Sequence, residues 1–568
     1  MRKNLPQTEQ VKKDSCVTVP EERPDSLYQW QKECLERWLE NGGRGMVQAV
    51  TGSGKTRLAL SAIDVLEQKL GRKVMVKIVV PTSSLMRQWA SALRGHRREK
   101  TESAGDGRIG LRGGGRKDPA DGKYMIYVVN SARYELARQI LAQLESGEAV
   151  FLIADECHHY ASGENHLIFE FLTRINREEA AYYSLGLSAT LPSGMDGRIL
   201  AESLGPRIYS YGMAKATDMK TICPIDVFHV ALTFWPEEMA EYEDITDKMT
   251  RCFDVLRKKA PFLEGLSQRE LFEELRRLST GMTGASFSSG RRQGAQPSGV
   301  QRGGGENREA GRLARIYLNL SYKRKKLVCL ASSRLSCAEE LIRLLGQRDK
   351  ILVFGERIAQ AEELYRTLNL QYPGRVGRCH SRMGEQANRS NLERFRIGEY
   401  RILITCKSMD EGVDIPDASI GIILSGTSGH RQRTQRLGRI IRKKEGKNRA
   451  SLYYLHIEET AEDACYLPDL GDSRIFELAF DAKTGDFVND GYDEASWQVE
   501  EDLVCAGTDE KTMREAYRCL DAGRVRGDWM SAPEELAEQI AAARDPEERN
   551  YWVCMKRAAA AGRKSAVS

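Results

Sequence analysis

The first residues able to do chemistry are Ala49-Val50-Thr51-Gly52-Ser53-Gly54-Lys55-Thr56. Two glycines closed by Lys-Thr, between an apolar stretch and a helix-like one, make a phosphate cradle. The glycines let backbone N–H groups close on phosphate oxygens, and the helix N-terminus adds partial positive charge. In such a loop Thr51, Gly52, Ser53 and Gly54 line the phosphates. Lys55 reaches the β- and γ-phosphates, and the Thr56 hydroxyl holds Mg2+. A second centre follows the apolar run Val150 to Ala154, which ends in Asp155-Glu156-Cys157-His158. Adjacent carboxylates suit two tasks: Asp155 holds Mg2+ through water, and Glu156 orients or deprotonates the attacking water. No cysteine pair or second His-rich motif accompanies His158, which reads as a coupling hydrogen bond rather than a metal ligand. Ser188-Ala189-Thr190 places two small hydroxyls where they can bond the Asp-Glu loop. Far downstream, Arg439 and Arg442 share a helix face with Gln435 nearby. Guanidiniums so placed can reach a triphosphate, and an arginine finger contributes about 10³–10⁵-fold in rate. The Gln31 amide can donate and accept on a base edge at once, which suits an adenine contact.

These groups need rigid elements to hold them. Gly45–Ala49 reads as a strand entering the cradle and Arg57–Leu70 as a helix leaving it. Strand-like runs at 74–80, 123–129, 149–154 and 181–187 alternate with helix-like runs at 84–93, 131–144 and 167–173. That alternation specifies a parallel sheet covered on both faces, with ligands at the C-terminal strand ends, where the motifs fall. Leu27, Trp30, Cys34, Leu35, Trp38 and Leu39 sit at helical spacing ahead of it. The basic, Gly-rich stretch from Arg97 to Asp121 reads as a surface loop. A second alternating region has strands at 351–354, 375–379, 401–405, 419–424 and 451–456, with no cradle of its own. It suits a lobe that completes the first lobe's site across a cleft.

Five segments follow. Residues 1–25 read as a loose arm, 26–235 as the first lobe and 236–325 as a helical insertion. Within the insertion, 281–312 is Gly-, Ser- and Arg-rich and reads as a flexible excursion. Residues 326–465 form the second lobe and 466–568 an accessory region. At 568 residues and net charge +5, the chain is too long for one core and too weakly basic for charge alone to imply nucleic acid. Its 13 cysteines include no Cys-x-x-Cys, the pattern of a reducing compartment. With no apolar span and no apolar N-terminal core, the expected location is cytoplasmic, off the membrane.

Taken together, these segments resemble superfamily 2 helicases and translocases, whose fold is two tandem RecA-like lobes. Tyr28 to Gln31 is similar to the adenine-reading Q motif and Ala49–Thr56 to motif I. Pro81 to Leu85 with Gln88-Trp89 is similar to motif Ia, Asp155–His158 to a DExH motif II and Ser188–Thr190 to motif III. Ile351–Glu356 resembles motif IV, Thr405 through Gly412, Asp414 and Pro416 motif V, and Gln435–Arg442 motif VI. The flavour is that of XPB-like and restriction-motor helicases. The resemblance implies an α/β fold and ATP with Mg2+. Tyr28, Gln31, Gly412 and Asp414 join the nucleotide contacts. His158, Ser188 and Thr190 become coupling residues. Thr82, Asn130, Ser131 and Thr405 become phosphate-backbone contacts on nucleic acid, with DNA favoured over RNA. It also implies a role in repair, recombination or anti-phage defence. From its position between the lobes alone, the helical segment 237–280 reads as a wedge or thumb, with a purely structural insertion as the alternative. An RNA helicase and a nucleic-acid-stimulated ATPase switch within a larger complex, docked through 466–568, stand as alternatives.

Overall fold

The computed structural model describes residues 27–99, 109–161, 163–176, 180–280, 304–346, 349–406, 418–425, 449–460 and 473–565. Apolar runs long enough for one strand each, separated by amphipathic helices, fold into two eight-stranded sheets. The first contains β1 (Arg44–Ala49), β2 (Val74–Val80), β3 (Ile109–Gly113), β4 (Arg116–Lys117), β5 (Tyr124–Val128), β6 (Ala149–Asp155), β7 (Tyr182–Ser188) and β8 (Arg207–Tyr211). Their order is β4-β3-β5-β2-β6-β7-β1-β8, parallel throughout except for the β3–β4 hairpin. The β1 end that feeds the cradle therefore lies beside the β7 end, and β7 lies beside β6.

Successive strand residues point to opposite faces, and each face has its own core. On one, Val47, Ile78, Phe151 and Leu185 pack with Trp30, Leu58 and Trp89. On the other, Met46, Val79, Tyr127 and Leu152 pack with Leu136, Ile140 and Leu200. All seven residues of β6 are buried, as a central parallel strand requires.

The second sheet contains β9 (Ile225–Leu232), β10 (Ile351–Gly355), β11 (Val376–Cys379), β12 (Ile402–Cys406), β13 (Ile420–Ile423), β14 (Ala450–Ile457), β15 (Arg474–Phe480) and β16 (Phe487–Val488). Its order is β11-β12-β10-β13-β14-β9-β15-β16, with only β15–β16 antiparallel.

Several segments lie elsewhere than expected. β9 falls inside 26–235 yet pairs with β14 and β15, so the chain crosses into the second sheet before residue 235. β15 and β16 begin the accessory region yet complete that same sheet. The Arg97–Asp121 stretch carries the tail of the helix Ser83–Glu99 and then β3 and β4, which extend the first sheet's edge. The helix Gly304–Leu330 takes in the last part of the expected flexible excursion. A Cβ on Gly311 would meet the Leu278 carbonyl oxygen at 2.7 Å, so glycine is what lets this helix pack against Gln268–Thr280.

Gly304–Leu330, Pro236–Lys259 and Gln268–Thr280 share a core of Leu256, Leu263, Leu275, Ala314 and Leu318. The apolar stripe on Pro236–Lys259 is core: Ile245, Met249 and Leu256 are buried. After β16 come four helices, Asp490–Cys505, Glu510–Arg526, Pro533–Ala542 and Pro546–Ser565, built around Tyr492, Val499, Leu520, Leu536 and Met555. They dock on the second sheet, where the Tyr453 hydroxyl donates to the Val525 carbonyl at 2.7 Å. Among the described residues no helix is long and apolar enough to cross a membrane.

Candidate nucleotide site

β1 delivers the cradle. Val50 N–H donates to the Tyr211 carbonyl at 3.0 Å, tying the loop's start to the end of β8. The Ser53 hydroxyl donates to the Val50 carbonyl at 2.7 Å and closes the turn. Gly52 and Gly54 lie at φ 87° and 94°, in the region that favours glycine. The helix Lys55–Leu70 starts at once, so its first N–H groups face the loop. Lys55 Nζ donates to the Ala49 carbonyl at 3.0 Å across the loop. The Thr51 hydroxyl is buried with no partner among the described residues.

Gln31 braces this loop from outside. Its helix, Gln29–Glu40, is anchored by Trp30 stacked on Tyr211 with ring centroids 4.6 Å apart, and by the Trp38 indole donating to the Ser184 carbonyl at 3.0 Å. Gln31 Oε1 accepts from Tyr28 N–H at 2.9 Å, and Nε2 donates to the Gly54 carbonyl at 3.0 Å. One N–H and one lone pair of the amide are thus committed to holding the cradle, and the side chain is fully buried. Tyr28, 39% exposed, stands beside it.

At the end of β6, Asp155 is buried and doubly oriented: Oδ1 accepts from Glu156 N–H at 3.0 Å, and Oδ2 from the Trp89 indole at 2.8 Å. The Tyr160 hydroxyl donates to the Asp155 backbone carbonyl at 2.7 Å. Burial, reinforced by the Glu156 charge, pushes the Asp155 carboxyl up to about 6, with Lys55 and the Trp89 bond pulling the other way. Two adjacent carboxylates with too little positive charge beside them fit a divalent cation. Among the described residues no cluster of three or more His, Cys, Asp or Glu could hold a metal alone. Mg2+ commonly takes one or two carboxylates and completes its shell with substrate phosphates and water, so Asp155 and Thr56 are a sufficient protein share.

Glu156 sits at φ 47°, a left-handed conformation unusual for glutamate. Its Oε2 is buried without a hydrogen bond, 3.5 Å from His158 Nδ1. His158 Nδ1 lies 2.8 Å from the Ser188 hydroxyl oxygen. That hydroxyl donates to the Thr190 carbonyl at 2.6 Å, so the imidazole is the donor to Ser188. Thr190 N–H also donates to Ser188 Oγ at 3.2 Å. A continuous chain thus runs from the Asp-Glu loop to Ser188 and Thr190.

Of the expected nucleic-acid contacts, Asn130 is exposed, and Thr82 and Ser131 are partly exposed, all at the C-terminal strand ends. Thr405 is different. It is fully buried in β12, and its hydroxyl donates to the Val353 carbonyl of β10 at 3.2 Å. The neighbouring strand occupies its only polar group, so it cannot hold a phosphate here. Gly412, Asp414, Gln435, Arg439 and Arg442 lie outside the described residues. Sequence reasoning assigned Trp89 to a motif but missed its bond to Asp155. Its spacing with Met86 and Leu93 reads only as core, and all three are buried. Also missed was the pair between Arg87, on the same helix, and Glu385 of the second lobe.

Two family descriptions match: "Type III restriction enzyme, res subunit" over residues 25–193 and "Helicase conserved C-terminal domain" over 334–444. The DNA 3'-5' translocase XPB2 of Sulfurisphaera tokodaii is 27% identical over 74% of this chain and 79% of its own length. The DNA 3'-5' helicase XPB of Kineococcus radiotolerans is 22% identical over 78% of this chain, which spans 61% of that relative. Among solved structures, the Hef helicase domain of Pyrococcus furiosus aligns with a TM-score of 0.47 at 17% identity, over 76% of this chain and 95% of that one.

Proposed function

We propose that this chain, a superfamily 2 helicase of XPB-like and restriction-motor character, couples ATP hydrolysis to movement along DNA. One observation carries the reading: the β1 cradle and the β6 Asp-Glu pair sit at the C-terminal ends of the two strands that flank β7 in one parallel sheet. In this scheme the cradle N–H groups and Lys55 bind the triphosphate, and Gln31 with Tyr28 meets the adenine. Thr56 and Asp155 would hold Mg2+, which neutralises charge developing on the phosphates. Glu156, whose buried Oε2 accepts no hydrogen bond, orients the attacking water and accepts its proton. Arg439 and Arg442 approach from the second lobe. Closure of the lobes on ATP and reopening after hydrolysis would shift one lobe along a strand held at Thr82, Asn130 and Ser131.

Contacts of this kind go to phosphates, so binding is largely sequence-independent and weakens as salt rises. The named DNA activities of the relatives favour DNA over RNA as the track. The test is ATP turnover with single-stranded DNA, duplex DNA and RNA, beside a strand-displacement assay. Stimulation by duplex DNA with displacement or translocation supports the reading. Stimulation by RNA alone, or turnover without movement, replaces it with an RNA helicase or a switch.

A further inference from the structure

We infer that Trp89 is a positioning residue for the metal-holding carboxylate. Its indole N–H fixes the rotation of Asp155, so that the carboxylate faces the cation in one orientation. This rests on the proposed role of Asp155 in holding Mg2+.

Asp155 has two oxygens and two protein donors, one on each. The Glu156 N–H on Oδ1 at 3.0 Å comes from the next residue and moves with the loop. The Trp89 indole on Oδ2 at 2.8 Å comes from another element, 66 residues away in sequence. Trp89 is 1% exposed and Asp155 7% exposed, so water does not compete strongly for that oxygen. The indole has one N–H and no acceptor, so it holds the oxygen without offering an alternative pattern. A hydrogen bond to a charged acceptor is shorter and stronger than a neutral one. The ring is wedged in the core with Met86, Leu93 and Phe151, so the donor is held by packing rather than by a flexible stem. Each oxygen keeps a lone pair, enough for a cation or its water. Partners that orient a metal-holding group commonly account for about 10–100-fold in metal affinity when removed.

The test uses Trp89→Phe, which keeps an aromatic ring and deletes the N–H, with Mn2+ as probe. Mn2+ is titrated into the ADP-bound full chain and followed by electron paramagnetic resonance. The expected result is an affinity for Mn2+ about 10-fold weaker. ADP affinity in EDTA should stay at the wild-type value, because no nucleotide contact is altered. Trp89→His restores a ring N–H in a smaller side chain, and should recover part of the Mn2+ affinity. Equal loss in both variants would mean that packing, not the hydrogen bond, is at work, and would overturn the inference. So would wild-type Mn2+ affinity in Trp89→Phe. Asp155→Ala runs in parallel. If it leaves Mn2+ affinity unchanged, the metal role of Asp155 itself fails. If it weakens Mn2+ while Trp89→Phe does not, only the role of Trp89 fails. Should Trp89→Phe melt too low to assay, the comparison of Trp89→His with wild type decides: an affinity no better than that of Asp155→Ala overturns the inference.

Discussion

In the proposed scheme Lys55 and Glu156 have different jobs in the same turnover, and their substitutions separate them. Lys55→Ala removes the cation that meets the phosphates, so both ATP binding and hydrolysis should fall. Glu156→Gln keeps the shape but cannot take a proton, so turnover should drop by about 10²–10⁴-fold. Nucleic-acid binding should remain measurable in both, since neither residue is among its contacts. Undiminished hydrolysis in either variant would remove that residue from the site. Arg442→Ala tests the proposed arginine finger. It should cut kcat by about 10³-fold or more with little change in ATP affinity; affinity lost at unchanged kcat would mean a binding role instead. Lys55, Thr56, Asp155 and Glu156 were legible because their spacing from a strand end is a local rule. Trp89 and Arg334 were not. Arg334 is a charged residue on the helix Ser333–Leu345 that is fully buried and donates to the carbonyls of Val328, Leu424 and Leu455. Such contacts join residues up to 121 positions apart, which no local pattern encodes. Thr405 shows the converse: a hydroxyl at a motif position whose partner is the adjacent strand.

At the scale of elements, most strands were legible because a central parallel strand must be apolar on both faces. Which sheet a strand joins is another matter. β9 follows the first lobe in sequence, but its register is set by β14 and β15, more than 200 residues on. Electrostatics pin that choice. Asp226, 2% exposed, accepts from Arg449 Nη2 at 2.7 Å and Arg474 Nη2 at 2.6 Å, one arginine at the start of each flanking strand. Asp226→Ala would leave two guanidiniums facing each other, with Asp528 and Glu535 the remaining carboxylates acting on Arg474. Removing one partner of a buried pair costs about 3–5 kcal/mol. Arg449 is partly exposed and can turn to water, so the lower end applies, and a urea midpoint would show it. A midpoint equal to wild type would mean that the strands hold their register by packing alone. β3 was missed because its charged, Gly-rich sequence matches a loop, although Leu111 gives it one buried anchor in the first sheet.

The described residues form two sheets with the candidate nucleotide site at the first, and the start of the C-terminal region is structurally part of the second. A deletion from residue 466 onward therefore tests more than a docking tail. It removes β15, which lies between β9 and β16, and leaves β9 as an open edge. It strips Phe476 from its stack on Phe228, where the ring centroids are 4.6 Å apart, and frees the Arg449–Asp226 pair of its second arginine. It also uncovers the buried Tyr453, whose hydroxyl loses the Val525 carbonyl. The expected outcome is a chain that aggregates or melts well below the full-length protein, so that lost ATPase activity would say nothing about docking. A cut after residue 489 is the informative one. It keeps β15 and β16 and removes the four helices, which have a core of their own but also place Val525 in the second lobe's core. If those helices serve partners alone, this shorter chain should retain DNA-stimulated turnover and lose only partner binding. If they brace the second lobe, stimulation should fall in step with the melting midpoint, because helix Glu510–Arg526 packs on helix Ser333–Leu345 and Arg526 donates to the Leu345 carbonyl. Measured together, stimulated ATPase and melting midpoint separate the two roles, and the contacts of Val525 and Arg526 favour the second.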